Sequence, residues 1–335
     1  MKRVLTGITT TGEPHLGNYA GAIRPSVLVS QDLSIESYFF LADYHSLVKN
    51  IDPSLVKQAT HQIASTWIAL GLSDQSIFYR QSDIPEIFEL SWILTCSTAK
   101  GLMNRAHAYK AATDTNLLEK NTDVDKGINM GLFSYPILMA ADILMFRADE
   151  VPVGKDQIQH VEMARDIAMR FNHHYGDLLV IPKAITSENS ETLPGLDGRK
   201  MSKSYQNTIP LFCEEKQLKK LISKIKTNSI EPSMPKEYLG CTLYQIYSNF
   251  STLEEIKQIQ LRYEQGISWG DMKMILYEKI NDFLKTYRGE YVRLLNDPDF
   301  VEKKLQEGAI RARNIAVPYI EELRKAVGIA KLFDN

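Results

Sequence analysis

No stretch of 18 or more apolar residues occurs in this chain, so no transmembrane helix is expected. Cysteine is scarce. Cys96, Cys213 and Cys241 are odd in number and far apart, with no Cys-x-x-Cys pair, which excludes a zinc site or a disulfide frame. They read as reduced thiols of a cytoplasmic protein. A one-sided charge is also missing: the net charge of −2 argues against a generic nucleic-acid coat protein, so any RNA contact must be a local patch. Met1-Lys2-Arg3-Val4-Leu5 runs into Thr6-Gly7 without the apolar core of a signal peptide, and none is expected. There is no internal repeat or low-complexity tract, and no carboxylate cluster suggests a dedicated metal cage.

What is present is an ordinary globular composition. The 335 residues, 44% hydrophobic and 24% charged, suit one large domain or two smaller ones. Short apolar runs alternate with helical stretches over the first 185 residues. Strands are expected at 3–8, 37–42, 77–79 and 178–181; the run Tyr38-Phe39-Phe40-Leu41 is apolar on both faces, as a buried parallel strand should be. Helices are expected at 17–30, 53–72, 86–96, 132–146 and 157–171. The alternation implies a Rossmann-type, doubly wound parallel α/β sheet with ligands at the carboxyl ends of its strands. Beyond residue 205 the pattern becomes helical, as in Leu218, Leu221, Ile222 and Ile225, with Gly308 and Pro318 expected to bend or break the last helix. A catalytic domain at 1–205 and a helical domain at 206–335 follow, the final helix being free to pack back on the first. Trp67 and Trp92 read as core residues.

Two segments carry the chemistry. Lys200-Met201-Ser202-Lys203-Ser204 sets two lysines around small hydroxyl residues, which makes a phosphate clamp. Taken alone it is also a solvated loop. Upstream, Thr9-Thr10-Thr11-Gly12 follows the first strand, and Pro14-His15-Leu16-Gly17-Asn18 leads into a helix whose N–H groups favour anions. Taken alone that is a βα turn with an ordinary cap. Together they describe attack on the α-phosphate of ATP, the lysines answering charge that grows on the phosphate and on departing pyrophosphate. Ser202 and Ser204 shape the loop and add hydroxyl donors.

The pair resembles the KMSKS and HIGH motifs of class I aminoacyl-tRNA synthetases. Asn18 stands where the family usually has histidine, as is common in the groups specific for aromatic amino acids. A third segment narrows the likeness. In Tyr135-Pro136-Ile137-Leu138-Met139-Ala140-Ala141-Asp142, helical spacing sets Tyr135, Met139 and Asp142 on one face, with Asp142 among apolar neighbours where an unpaired carboxylate is costly. A buried aspartate satisfied by a cap or a serine is the bland alternative. The tryptophan- and tyrosine-specific members resemble this segment closely, and their aspartate receives the substrate's ring N–H or hydroxyl. Tyrosine-specific members tend to place glutamine at the Met139 position, while tryptophan-specific ones place methionine, which packs against an indole. The likeness is to the bacterial tryptophan-specific members, from the first strand to the final helix and most closely before residue 205. It rests also on Asp43-Tyr44-His45 and on Val151-Pro152-Val153-Gly154-Lys155-Asp156-Gln157.

This resemblance implies ATP-dependent ligation of L-tryptophan to tRNA(Trp) through an adenylate, with Mg2+ accompanying the triphosphate, in a cytoplasmic homodimer. It implies that Gln157 and Tyr135 hold the substrate ammonium and that Val151 and Val153 pack the indole. Gly154, Lys155 and Asp156 would lie by the ATP ribose. His45 borders the pocket or is a satisfied structural histidine. The chain departs from the family at Thr9-Thr10-Thr11, where Gln-Pro-Ser is common, at Lys155, where glutamate is common, and across 193–199. Tyrosine activation, a small-molecule nucleotidyltransferase and a non-catalytic binding module are the competing readings.

Overall fold

The computed structural model describes residues 1–10, 12–49, 52–186 and 193–332. Five parallel strands, β1 (Lys2–Thr9), β2 (Ile35–Ala42), β3 (Ile77–Arg80), β4 (Glu150–Pro152) and β5 (Lys183–Ile185), form one sheet in the order β3-β2-β1-β4-β5. Strand order therefore reverses beside β1. In a doubly wound sheet that switch point opens a crevice at the carboxyl ends of the flanking strands.

The interior strand β2 is buried on both faces, and its alternation decides what packs where. Tyr38, Phe40 and Ala42 join a core with the helices Pro85–Ser97, Met130–Met145, Ile158–Tyr175 and Pro298–Val327. Phe39 and Leu41 turn to the opposite core, shared with the helices Pro53–Ala69 and Trp269–Leu295. Trp67 belongs to this second core, with ring centroids 5.2 Å from Phe39 and 5.8 Å from Phe78. Trp92 does not: it is 70% exposed on the outer face of its helix, so the expectation of a core residue is corrected.

Two further expectations fail. Residues 178–181 form no strand, because their backbone groups are met otherwise. Asn172 accepts from the N–H groups of Leu178 and Leu179 and donates to the Leu179 carbonyl, while the Tyr319 hydroxyl donates to the Leu178 carbonyl. The ladder is extended by β4 and β5 instead, three-residue strands too short and polar to show a period. Neither Gly308 nor Pro318 breaks the last helix, Pro298–Val327, which is continuous over 30 residues. Pro318 and Asn314, whose carbonyl loses its partner, both lie on the exposed side, where water can replace the bond. Gly308 sits directly on β3, where a Cβ would stand 1.7 Å from the Phe78 carbonyl oxygen. The helix approaches the strand backbone because no side chain intervenes. Arg80 to Glu302 at 2.7 Å ties it to β3, and Arg313 to Glu86 at 2.7 Å and Arg324 to Glu89 tie it to the helix Pro85–Ser97.

The helices Glu215–Ser223, Thr242–Asn249 and Leu253–Glu264 pack with Trp269–Leu295 beside the sheet. Among the described residues no helix is long and apolar enough to cross a membrane. All three cysteines are free; Cys213 is buried, which pushes its thiol up to about 11.

Candidate active site

A cavity of about 540 Å³ opens at the switch point. Its walls come from Leu5, Thr6, Gly7 and Thr9 of β1, from Val151 to Gly154 at the end of β4, and from the helix Met130–Met145. The helical stretch after β1 contributes Gly21, Ala22 and Pro25, beside a π-helical turn at Tyr19–Ile23 that widens the helix next to the opening. Tyr135, Met139 and Asp142 stand on one wall, and His45, Val151, Val153, Gly154 and Gln157 complete the lining.

Asp142 has no solvent exposure, yet its carboxylate is not orphaned. Gln81 Nε2 lies 2.8 and 3.0 Å from its two oxygens, and His45 Nε2 lies 2.9 Å from Oδ2. Burial pushes its carboxyl above the usual range, while the bonds from His45 and Gln81 work the other way. An ionised carboxylate offers about four acceptor positions, so one more donor can be received on Oδ1, which His45 leaves untouched. The Tyr135 hydroxyl pairs with His160 Nε2 at 2.8 Å, fixing the ring at the cavity edge.

The second cluster lies beyond Thr9. His15 caps the helix Leu16–Asn18: its Nδ1 accepts from the Asn18 N–H at 3.3 Å, and Asn18 Oδ1 accepts from the His15 N–H at 3.1 Å. Burial, assisted by the Lys203 charge, holds the His15 imidazole down at about 4. Gly17 lies flush against both His15 and Met201, where a Cβ would stand 3.1 and 3.4 Å from them. Lys203 reaches back to Gly12, whose φ of +70° only glycine adopts without strain, and a Cβ there would stand 3.3 Å from Nζ. Partial burial lowers the Lys203 ammonium, opposed by the charge of Glu13. The two signature segments are thus folded onto each other. The Leu16 N–H donates to the Ile209 carbonyl at 3.0 Å, and the Leu211 N–H to the Pro14 carbonyl at 2.9 Å.

The other candidates fall as follows. Thr9 is exposed on the cavity wall, whereas Thr10 is fully buried with Oγ1 unpartnered among the described residues. Thr11 lies outside the described residues, as does the side chain of Asp156. Lys155 is exposed on the turn Lys155–Gln157, away from the cavity lining. Lys200 pairs by its backbone with Pro194, and Ser204 is exposed beside Lys203.

Sequence reasoning missed two residues. Gln81, just past β3, holds Asp142. Asn207, only 2% exposed, organises the lysine loop: its Oδ1 accepts from the Ser202 N–H at 2.8 Å, and its Nδ2 donates to Asp197 at 2.7 Å and to the Lys200 carbonyl at 3.1 Å. That bond from Asn207, with Arg199 alongside, holds the Asp197 carboxyl down at about 2. Gly195 makes room for the pin, since a Cβ there would stand 2.4 Å from the Asn207 side chain. A polar residue directly after a buried strand was the available signal for Gln81; nothing local marked Asn207.

A parallel sheet with a cavity at its switch point, and a lysine loop laid over a histidine-capped helix entry, is the frame of a nucleotide-using synthetase. The chain belongs to the class I tRNA synthetases of the W and Y group, whose family model matches residues 1–285. Within that group, curated relatives that it resembles are tryptophan–tRNA ligases. It is 53% identical over 334 residues to the tryptophan–tRNA ligase of Pseudomonas aeruginosa, covering 98% of this chain and 74% of that one. It is 54% identical to the tryptophan–tRNA ligase of Neisseria meningitidis, covering 99% of each. Among solved structures, the tryptophanyl-tRNA synthetase of Campylobacter jejuni complexed with ADP and tryptophan superposes with a TM-score of 0.87. It is 41% identical, covering 97% of this chain and 99% of that one.

Proposed function

We propose that the chain activates L-tryptophan with ATP and ligates it to tRNA(Trp), releasing AMP and pyrophosphate. The observation that carries this reading is the buried Asp142 carboxylate on a mostly apolar cavity wall, beside Met139 and with an acceptor position to spare. Such a site suits an indole: the N–H meets Asp142, the ring lies among Val151, Val153 and Met139, and the sulfur packs on its face. Tyr135 and Gln157 hold the ammonium, and His45 steadies Asp142.

ATP lies along Thr9 to Thr11, His15, Gly17 and Asn18, with its ribose by Gly154, Lys155 and Asp156 and its phosphates under the loop of Lys200, Met201, Ser202, Lys203 and Ser204. The tryptophan carboxylate oxygen bonds to the α-phosphorus as the bond to the bridging oxygen breaks, and pyrophosphate leaves with that electron pair. A carboxylate is already ionised at neutral pH, so no general base is needed. Positioning accounts for roughly 7–11 kcal/mol of such a barrier, and Lys203 and Lys200 stabilise the departing charge. The 2′-hydroxyl of the terminal tRNA ribose then attacks the adenylate carbonyl, and AMP leaves. Mg2+ accompanies the triphosphate as part of the substrate.

The helical region 206–335 reads the anticodon. Lys216, Lys219, Lys220, Lys224 and Lys226 are exposed there while Leu218 and Ile222 of the same stretch are buried, a cationic face on an anchored support. The chain works in the cytoplasm as a homodimer, one tRNA reaching from the anticodon region of one subunit to the cavity of the other. The direct test is pyrophosphate exchange into ATP with each of the twenty amino acids. Tryptophan alone should support it, and exchange with tyrosine and not tryptophan would overturn the reading.

A further inference from the structure

β2 and β3 are adjacent and parallel, and their carboxyl ends deliver two partners to one carboxylate: His45 from the turn after β2 and Gln81, a donor, from the residue after β3. The two segments are fastened to each other, since the N–H and Oγ of Ser82 both donate to the Asp43 carboxylate, the former at 3.1 Å. The two partners are not equivalent. His45 touches only Oδ2, whereas the Gln81 amide spans both oxygens.

Gln81 has no solvent exposure, and its own Oε1 has no partner among the described residues. A buried acceptor left unpaired is costly, so mere space-filling does not account for this side chain; methionine would fill the same volume without that cost. What the amide provides is orientation. A single NH2 group spanning both oxygens fixes the plane of the carboxylate. The amide N–H groups facing both oxygens favour the ionised, accepting form, against the burial that pushes the carboxyl up.

We infer that Gln81 is a specificity-determining positioning residue, which locks Asp142 so that Oδ1 is presented to the ring N–H of the amino-acid substrate. The inference rests on the tryptophan reading of the cavity and adds the device by which an N–H is demanded.

The test compares tryptophan with β-(3-benzothienyl)alanine, which has the same ring shape with sulfur in place of N–H. Wild type should prefer tryptophan in kcat/KM by about 10- to 100-fold, the range expected for a hydrogen bond to a charged group. Gln81→Met should shrink that preference to within about 3-fold, raising KM for tryptophan and leaving KM for ATP in place. Gln81→Asn, which keeps the amide one methylene short, should fall between the two, and it supplies the ratio if the methionine variant gives no cooperative melt. A folded Gln81 variant that keeps the wild-type preference overturns the inference. A wild type indifferent to the N–H overturns the indole-to-Asp142 reading itself, and with it this inference, and is told apart because no variant is needed to see it.

Discussion

The Lys203 ammonium lies over Gly12, close enough that a Cβ on that glycine would stand 3.3 Å from Nζ. The loop that carries the lysine clamp is therefore already seated on the turn that leads from β1 to His15. Asn207 fixes the loop from below, and the backbone bonds of Leu16 and Leu211 fix its exit. A preorganised cation at this place acts on charge that develops in the transition state, at little cost in reorganisation.

From this geometry, Lys203→Ala should slow adenylate formation by ~100-fold or more while tryptophan affinity changes little, because the proposed amino-acid cavity does not include Lys203 in its lining. Single-turnover adenylate formation together with equilibrium tryptophan binding measures both. An unchanged rate in a folded variant would remove the clamp from the mechanism.

His15 makes stability depend on pH in a known direction. Its imidazole titrates at about 4 in the fold, lowered by burial and by Lys203, against an ordinary 6.5. Between those values the unfolded chain binds the extra proton, so stability falls as pH drops through that window and is flat above it. By about pH 4.5 this linkage corresponds to roughly 2–3 kcal/mol. Urea melts from pH 7 to 4.5 should show wild type losing that much more than His15→Asn, which retains a capping side chain without the titration. Parallel curves for the two proteins would contradict it.

The last helix supplies a paired test. Gly308→Ala sets a methyl 1.7 Å from the Phe78 carbonyl oxygen, and strand backbone cannot give way cheaply, so a loss of at least about 3 kcal/mol is expected. Gly289, exposed in the helix Trp269–Leu295, meets nothing within 4 Å, and Gly289→Ala should stabilise by about 0.5–1 kcal/mol. Thermal melts of the two single variants should move in opposite directions.

These positions also mark how far the sequence could be read. β1 was legible as a short apolar run ahead of a turn, β2 because Tyr38 to Leu41 is apolar on both faces, and the lysine loop because its spacing is specific to phosphate chemistry. Residues 178–181 misled because an apolar run is a strand only if its backbone finds a strand, and here Asn172 and Tyr319 supply the bonds. Gly308 looked like a helix breaker because its purpose, contact with β3, lies about 230 residues away in sequence, a separation of the order that local pattern cannot bridge. The cavity residues Tyr135, Met139 and Asp142 were readable as one helix face. Gln81 and Asn207 were not, since a side chain's partners are set by tertiary placement and both stand among other polar residues.

On the proposed reading the choice of amino acid is decided at Asp142 and Met139, three residues apart on one helix and both on the cavity wall. With Gln81 and His45 holding the carboxylate, Asp142→Ala removes a charge-assisted bond and leaves the bound ring N–H unpaired in a dry site. A loss of roughly 1.5–3 kcal/mol, about 10- to 150-fold in tryptophan kcat/KM, should follow, with His45 and Gln81 left as donors without an acceptor. Met139→Gln tests the same wall from the other side. A buried amide there has no partner on an indole, so tryptophan should weaken, while tyrosine activity need not appear because the shape of the wall is unchanged. Steady-state exchange kinetics with both amino acids measure this pair of variants. Wild-type tryptophan kinetics in Asp142→Ala would mean that the buried carboxylate serves the fold alone and that the ring N–H is read elsewhere.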